Sequence, residues 1–208
     1  MPAENIRVKF LEEKEILAKA TEFLTKYNPK EITPVPLEKI VEQSLGIKIV
    51  TVPNLKKIYD CDGYISSDFS TITFDDSIYN NWEERTNFTL AHELGHSQLH
   101  QNLYNRHEIN TIDDYLHFRE GLGETGWNRL EIQANCFAGF VLFPYKPLKQ
   151  LIEDCLKKCG GPKHFGVVDL QSLIISMQET FGVSGKAALI QLKKCFPNLV
   201  KAAEDAIF

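Results

Sequence analysis

Apolar residues recur at helical spacing between residues 10 and 27 (Leu11, Ile16, Leu17, Ala20, Phe23, Leu24), which predicts a first amphipathic helix. "NPKEITPVP" breaks it, and Pro36 opens a second helix, "LEKIVEQSL", closed by Gly46. The period then falls from 3.6 to 2. "IKIVTV" (47–52), "GYIS" (63–66) and "STITF" (70–74) read as three short strands of a small antiparallel sheet, with Ile72 and Phe74 alternating with threonines. Asn81 stands where an N-cap belongs, with Glu84 three residues on and Glu83 in the same first turn, so a helix is expected over 82–101. Residues 102–126 are polar, contain "EGLGETG" and read as a loop. Helices resume over 128–142, 147–158 and 168–181, and a last one follows Ser184. This is an α+β pattern: a sheet-and-helix domain over 1–145, then a helical C-terminal portion over 146–208. No repeat and no low-complexity linker divides it.

Charge and cysteine content narrow the function classes. A formal net charge of −5 gives no overall attraction to nucleic acid, though it leaves a local basic patch open. The opening "MPAENIRVKFLEEKE" is too charged for a secretory leader, and the longest apolar run, "CFAGFVLF", is far short of a bilayer span. The expectation is a cytoplasmic protein with no membrane partner. Five cysteines, an odd number, point to free thiols. Cys155 and Cys159 share a helix face, but no second pair stands at zinc-ribbon distance.

The chemistry concentrates in "NFTLAHELGHSQLH", residues 87–100, which holds three of the six histidines. On a helix, residues four apart stack with Cβ atoms about 6 Å apart, so His92 and His96 can converge on one metal ion at about 2.1 Å each. Glu93 points about 100° away, beside the ion, where it can take a proton from an activated water. The competing reading is a plain amphipathic helix with solvated or core histidines. Gly95 favours the metal reading, because a mid-helix glycine makes sense where a strand or second helix must come close. His100 lies about 12 Å up the helix axis from His92 and fits a supporting role better than that of a third ligand. The metzincin extension is absent, since Leu99 and Asn102 occupy its glycine and histidine positions. Downstream, Glu131 stands on a helix whose other residues crowd the core, and metal coordination would satisfy its carboxylate. A solvated first-turn acid is the alternative. Asn135, four residues on, can hold a ligating imidazole through its other nitrogen.

These residues, in this order, resemble the ImmA/IrrE metallopeptidases, a zincin-like group. "VPLEKIVEQSLGIKIV" looks like that family's opening helix and strand, and "NFTLAHELGHSQLH" like its F-T-L-A-H-E-L-G-H-x-x-L-H block. "EIQANCFAGFVLFP" is similar to its E-x-x-A-N-x-F-A run and proline, and "FGVSGKAALIQL" to the F-x-V-S segment that follows. The resemblance covers about residues 33–195. It implies a zincin-like fold, His92, His96 and Glu131 as ligands, and Glu93 as general base. Phe143 departs from the family's usual methionine, and Gly139 and Phe140 stand where small and acidic residues are common, which touches specificity.

The resemblance also implies cleavage of a helix-turn-helix (Xre-type) repressor or antitoxin, releasing stress-response or mobile-element genes. Two imidazoles and a carboxylate suit zinc, and manganese equally. The oxyanion donor stays open among Tyr64, His100, His107, Tyr115 and His117. "STITF" could offer its edge to an extended substrate. A second function class rests on "LQSLIISMQETFGVSGKAALIQLKK", which has a helix-turn-helix rhythm with Lys186, Lys193 and Lys194 on its last helix, and could bind DNA or a repressor. Ala187, Leu189, Ile190 and Leu192 leave that helix few side chains for base edges, which favours a packed hairpin.

Overall fold

The computed structural model describes residues 7–205, so the outermost ends of the two expected portions, 1–6 and 206–208, lie outside it. Helix α1 (Glu13–Tyr27) buries Ile16, Ala20 and Phe23. It starts three residues later than the apolar pattern suggests, where the Glu15 carboxylate accepts the Glu12 N–H at 2.8 Å. A short α2 (Leu37–Lys39) runs into a π-helical turn over Ile40–Ser44, and the chain reverses at Gly46 with φ 69°. Strand β1 (Lys48–Val52), a helical turn α3 (Leu55–Tyr59), strands β2 (Gly63–Ile65) and β3 (Thr71–Asp75) and helix α4 (Asp76–Asn81) follow.

The sheet is mixed, with order β1-β3-β2, which corrects the antiparallel expectation. β2 and β3 form an antiparallel hairpin, but β1 runs parallel to β3, pairing Lys48 with Thr71 through Val52 with Asp75. The cause is the length of the link: α3 and β2 intervene between β1 and β3, room enough for a crossover. β3 is central and buried at Ile72, Thr73 and Phe74, so both its edges are already paired. It cannot receive a substrate strand.

Asp75, the last residue of β3, caps α4 by accepting the N–H groups of Ser77 and Ile78, and also takes that of Lys56 at 2.8 Å. The cap expected at Asn81 is not there: Trp82 holds the N-cap position of the histidine helix and makes no side-chain cap bond. Asn81 closes α4, its amide donating to the Ser77 carbonyl, and the chain kinks at Trp82 before α5 (Glu83–Leu99).

The greatest correction concerns 102–126. After a short α6 (Gln101–Tyr104), a Thr111–Asp114 capping box starts α7, which runs from Ile112 to Leu142 with one non-helical residue, Gly123 (φ 63°, ψ 170°). "EGLGETG" is thus helix with a break in it. Its glycines and charges hide an apolar stripe in which Phe118 and Leu122 are buried. α5 and α7 pack closely: a Cβ on Gly95 would lie 3.0 Å from Ala134 Cα and 3.1 Å from its carbonyl oxygen, so Gly95 makes room for the second helix.

The segment before α1 crosses α7 and is held at two points. Arg129 Nη1 donates to the Val8 carbonyl at 3.0 Å and Gln133 Nε2 to the Lys9 carbonyl at 2.9 Å, with the Val8 side chain buried. The chain ends in α8 (Tyr145–Lys158), α9 (Val167–Phe181), α10 (Gly185–Cys195) and α11 (Pro197–Asp205). Gly182, at φ 63°, turns α9 into α10, which Ser184 caps. Leu148, Leu173, Phe181 and Val200 join the same buried cluster as Phe23, Phe74 and Phe137. Among the described residues, no helix is long and apolar enough to cross a membrane.

Candidate metal centre and cleft

α5 presents His92 and His96 toward α7, and α7 presents Glu131 back. His92 Nε2 lies 3.0 Å from His96 Nε2, and the Glu131 oxygens lie 3.3 Å from the former and 3.5 Å from the latter. All three donor atoms fall within 4.8 Å of one another. Glu131 Oε1 is buried and has no hydrogen-bond partner. A buried carboxylate oxygen without a partner is costly, and two imidazole nitrogens aimed at the same point leave a lone pair or a proton unmatched. A divalent cation resolves both, so the residues present fit one.

The outer nitrogens of the two imidazoles are supported. His92 Nδ1 lies 2.9 Å from Asn135 Oδ1, an acceptor, so Nδ1 carries a proton and Nε2 is the nitrogen whose lone pair a metal ion would take. His96 Nδ1 lies 3.1 Å from His100 Nδ1, and His100 Nε2 lies 2.9 Å from Gln133 Oε1. His100 therefore stands behind His96, outside the His92–His96–Glu131 group. Burial pushes its imidazole down to about 3, with the neighbouring His96 adding to the effect.

Glu93 is 4% exposed and lines the cleft beside His92. Burial pushes its carboxyl up to about 8, and the Glu131 charge adds to this while His92 and the Ile65 N–H oppose it. For His92, burial acts downward, but the Glu131 carboxylate outweighs it and holds the imidazole near 9; Glu131 itself is held well below the ordinary carboxylate range by the two histidines, against its burial. Without a cation, the carboxylate and a proton on His92 stabilise one another, which is the charge arrangement that a metal ion would replace.

The opening onto these groups is a cleft of about 270 Å³. One wall is α5 (Phe88, Thr89, His92, Glu93). Glu131 and Asn135 of α7 stand beside them, and the other wall comprises Asp60–Gly63 and, earlier on α7, Tyr115, Arg119 and Trp127. Asp62 accepts from Arg85 Nη2 at 2.8 Å and pairs with Lys56, which pins this irregular segment to α5. Gly63 is required by close approach, since a Cβ would meet Thr73 O at 2.8 Å and Thr89 Cγ2 at 3.1 Å.

Of the oxyanion candidates, Tyr115 alone lines the cleft. Its ring stacks on Tyr64 at 5.3 Å and meets Trp127 edge-on at 5.7 Å. Tyr64 is buried behind it and does not reach the opening. His107 packs on Phe118 at 5.0 Å, and His117 is exposed away from the site. Neither is brought to the cleft. The sequence pattern marks none of Cys61, Arg119, Trp127 and Gln133 as site residues: the first three lie in or beside stretches with no clear period, and Gln133 faces away from the cleft, where no motif position marks it.

H-E-x-x-H on one helix and a glutamate on the second thus form a His-His-Glu group able to hold a metal ion. The family described as IrrE N-terminal-like domain (Peptidase_M78) matches residues 78–193, more than half of the chain and all of these residues, and the protein belongs to that family. No curated protein matches the chain. Among solved structures, the fold is similar to that of a Mycobacterium tuberculosis transcriptional regulator, with TM-score 0.53 and 16% identity over 86% of this chain. The match takes in 46% of that regulator, so the chain spans about half its length.

Proposed function

We propose that the protein is a metal-dependent endopeptidase that cuts a helix-turn-helix (Xre-type) repressor or antitoxin in the cytoplasm and thereby releases stress-response or mobile-element genes. The observation that carries the peptidase reading is the unpartnered Glu131 Oε1 beside two converging Nε2 atoms, with Glu93 buried at the mouth of the same cleft. His92, His96 and Glu131 would hold the ion, and their nitrogen and oxygen donors suit zinc or manganese. When bound, it supplies Lewis-acid polarisation of a peptide carbonyl and acidifies a water. Glu93 accepts the proton of the attacking water and returns it to the leaving nitrogen, a role its raised affinity for a proton suits. Tyr115 donates its hydroxyl to the developing oxyanion, held in place by Tyr64 and Trp127. The edge offered to an extended substrate belongs to Asp60–Gly63 leading into β2, with Arg119 and Trp127 on the same wall.

The substrate class rests on the sequence resemblance. Its test mixes the metal-loaded protein with candidate repressors, beginning with any Xre-type protein encoded in the same transcription unit, and follows fragments by mass spectrometry. A single cut that Glu93→Gln abolishes is the expected result. Binding without any cut would favour a repressor-binding regulator instead. A DNA-binding reading has the α9–Gly182–α10 geometry behind it, but Lys193 pairs with Glu204 at 3.2 Å. Lys194 is taken up by Cys136, Glu13 and the Phe140 ring, which leaves Lys186 on that helix for phosphate.

A further inference from the structure

Gln133 takes no part in the reaction as drawn, yet it is 3% exposed and uses both ends of its amide. One end lies 2.9 Å from the Lys9 carbonyl, which can only accept, so that end is the NH₂. The amide oxygen is thereby turned to His100 Nε2, also at 2.9 Å, and His100 must donate there. A neutral imidazole carries one N–H, so His100 Nδ1 is left as an acceptor. The group facing it, 3.1 Å away, is His96 Nδ1, which must then carry its own proton. Only one nitrogen of His96 remains with a free lone pair: Nε2, which points at His92 and Glu131. The two ligating histidines are thus oriented by different means. His92 relies on Asn135, an exposed side chain at the cleft, whereas His96 relies on a buried chain of three contacts that ends on the backbone of the segment before α1.

We propose that Gln133 is a positioning residue that fixes His96 in the tautomer with its Nε2 lone pair free, acting through His100 and held in register by the Lys9 carbonyl. The proposal rests on the reading of His92, His96 and Glu131 as a metal site. A partner that orients a ligating histidine typically changes metal affinity by about 10–100-fold when it is removed.

The test titrates metal-free protein with zinc against a chromophoric chelator and records long-range ¹H–¹⁵N correlation spectra of its histidines. The wild type is expected to bind one zinc and to show His96 protonated at Nδ1. Gln133→Met, close in size but without an acceptor, should bind zinc about 10–100-fold more weakly and show a mixed His96 tautomer. Gln133→Glu, which restores an acceptor opposite His100 but meets the Lys9 carbonyl with a donor only as the protonated acid, should recover part of that loss. Zinc affinity in Gln133→Met equal to wild type overturns the proposal, as does a Glu variant no better than Met, which would reduce Gln133 to a packing residue. A wild-type His96 protonated at Nε2 overturns it without any variant, even if Gln133→Met fails to fold. Failure of the wild type to bind zinc or manganese is a different result: it removes the metal site, and the tautomer spectra still decide the contact chain.

Discussion

The two walls of the cleft are made differently. His92, His96 and Glu131 stand on α5 and α7 where these helices pack so tightly that Gly95 meets the backbone of Ala134. Across the opening, Asp60–Gly63 is irregular chain, and Tyr115, Arg119 and Trp127 lie on either side of the break at Gly123. A metal centre demands positions good to a fraction of an ångström, and closely packed helices supply them. A surface that receives a peptide can tolerate more give. The difference predicts that losing a side chain that would hold the metal acts all or none, while changes elsewhere along the cleft grade the rate.

The largest effect is expected at Glu131. Glu131→Ala removes the carboxylate proposed to hold the ion and should take bound metal from one per chain to near zero by elemental analysis. Retention of the metal would move the third ligand elsewhere and break the comparison at its base. Glu93→Gln stands on the same wall but is not aimed at the ion; turnover should fall by about 10²–10⁴ while metal content and circular dichroism stay as in the wild type. On the other wall, Tyr115→Phe should lower kcat by about 10²–10³ and leave metal content intact. A fall in kcat/KM through KM alone would make Tyr115 a binding residue. Gly95→Ala tests the tight packing itself: overpacking of about 1–3 kcal/mol competes with a helix-propensity gain of about 1 kcal/mol. Net destabilisation in a urea titration is expected, because the atoms it meets are backbone.

The smallest effect lies outside both walls, at the Asp75 cap. Burial works against its charge, but the Ser77 hydroxyl and the N–H groups of Lys56, Ile78 and Ser77 hold its carboxyl below the ordinary carboxylate value. A folded-state pKa below the unfolded one means a contribution present above about pH 4 and lost as pH falls through the folded value. Asp75→Ala should therefore cost about 0.5–2 kcal/mol at neutral pH, and the gap to wild type should narrow in acid.

The same contrast governs how much could be read beforehand. His92, Glu93 and His96 lie at fixed spacing on one helix, and Glu131 and Asn135 are four apart on another, so local periodicity carries them. The opposite wall has no local code. Tyr115 and Arg119 sit in a stretch whose glycines and charges imitate a loop, although the Thr111–Asp114 cap and the Phe118–Leu122 stripe mark a helix. The parallel pairing of β1 with β3 depends on a crossover that no residue in either strand announces. Asn81 does not cap α5 because it is the last residue of α4, its amide spent on the Ser77 carbonyl, and a six-residue helix ahead of the histidine helix has no apolar period to announce it.

The clasp over α7 has a consequence for the order of assembly. Arg129 to Val8 and Gln133 to Lys9 span 121 and 124 residues, so these bonds need nearly two-thirds of the chain to be in place. At a synthesis rate of about 5–20 residues per second, the segment at Val8 and Lys9 waits about 6–25 s on the ribosome before its partners exist. Contacts of such long range also form late in refolding, after local helices. In a stopped-flow experiment, zinc uptake should then lag behind the recovery of helical circular dichroism, and a lag that vanishes would mean that the metal pocket closes before the clasp does.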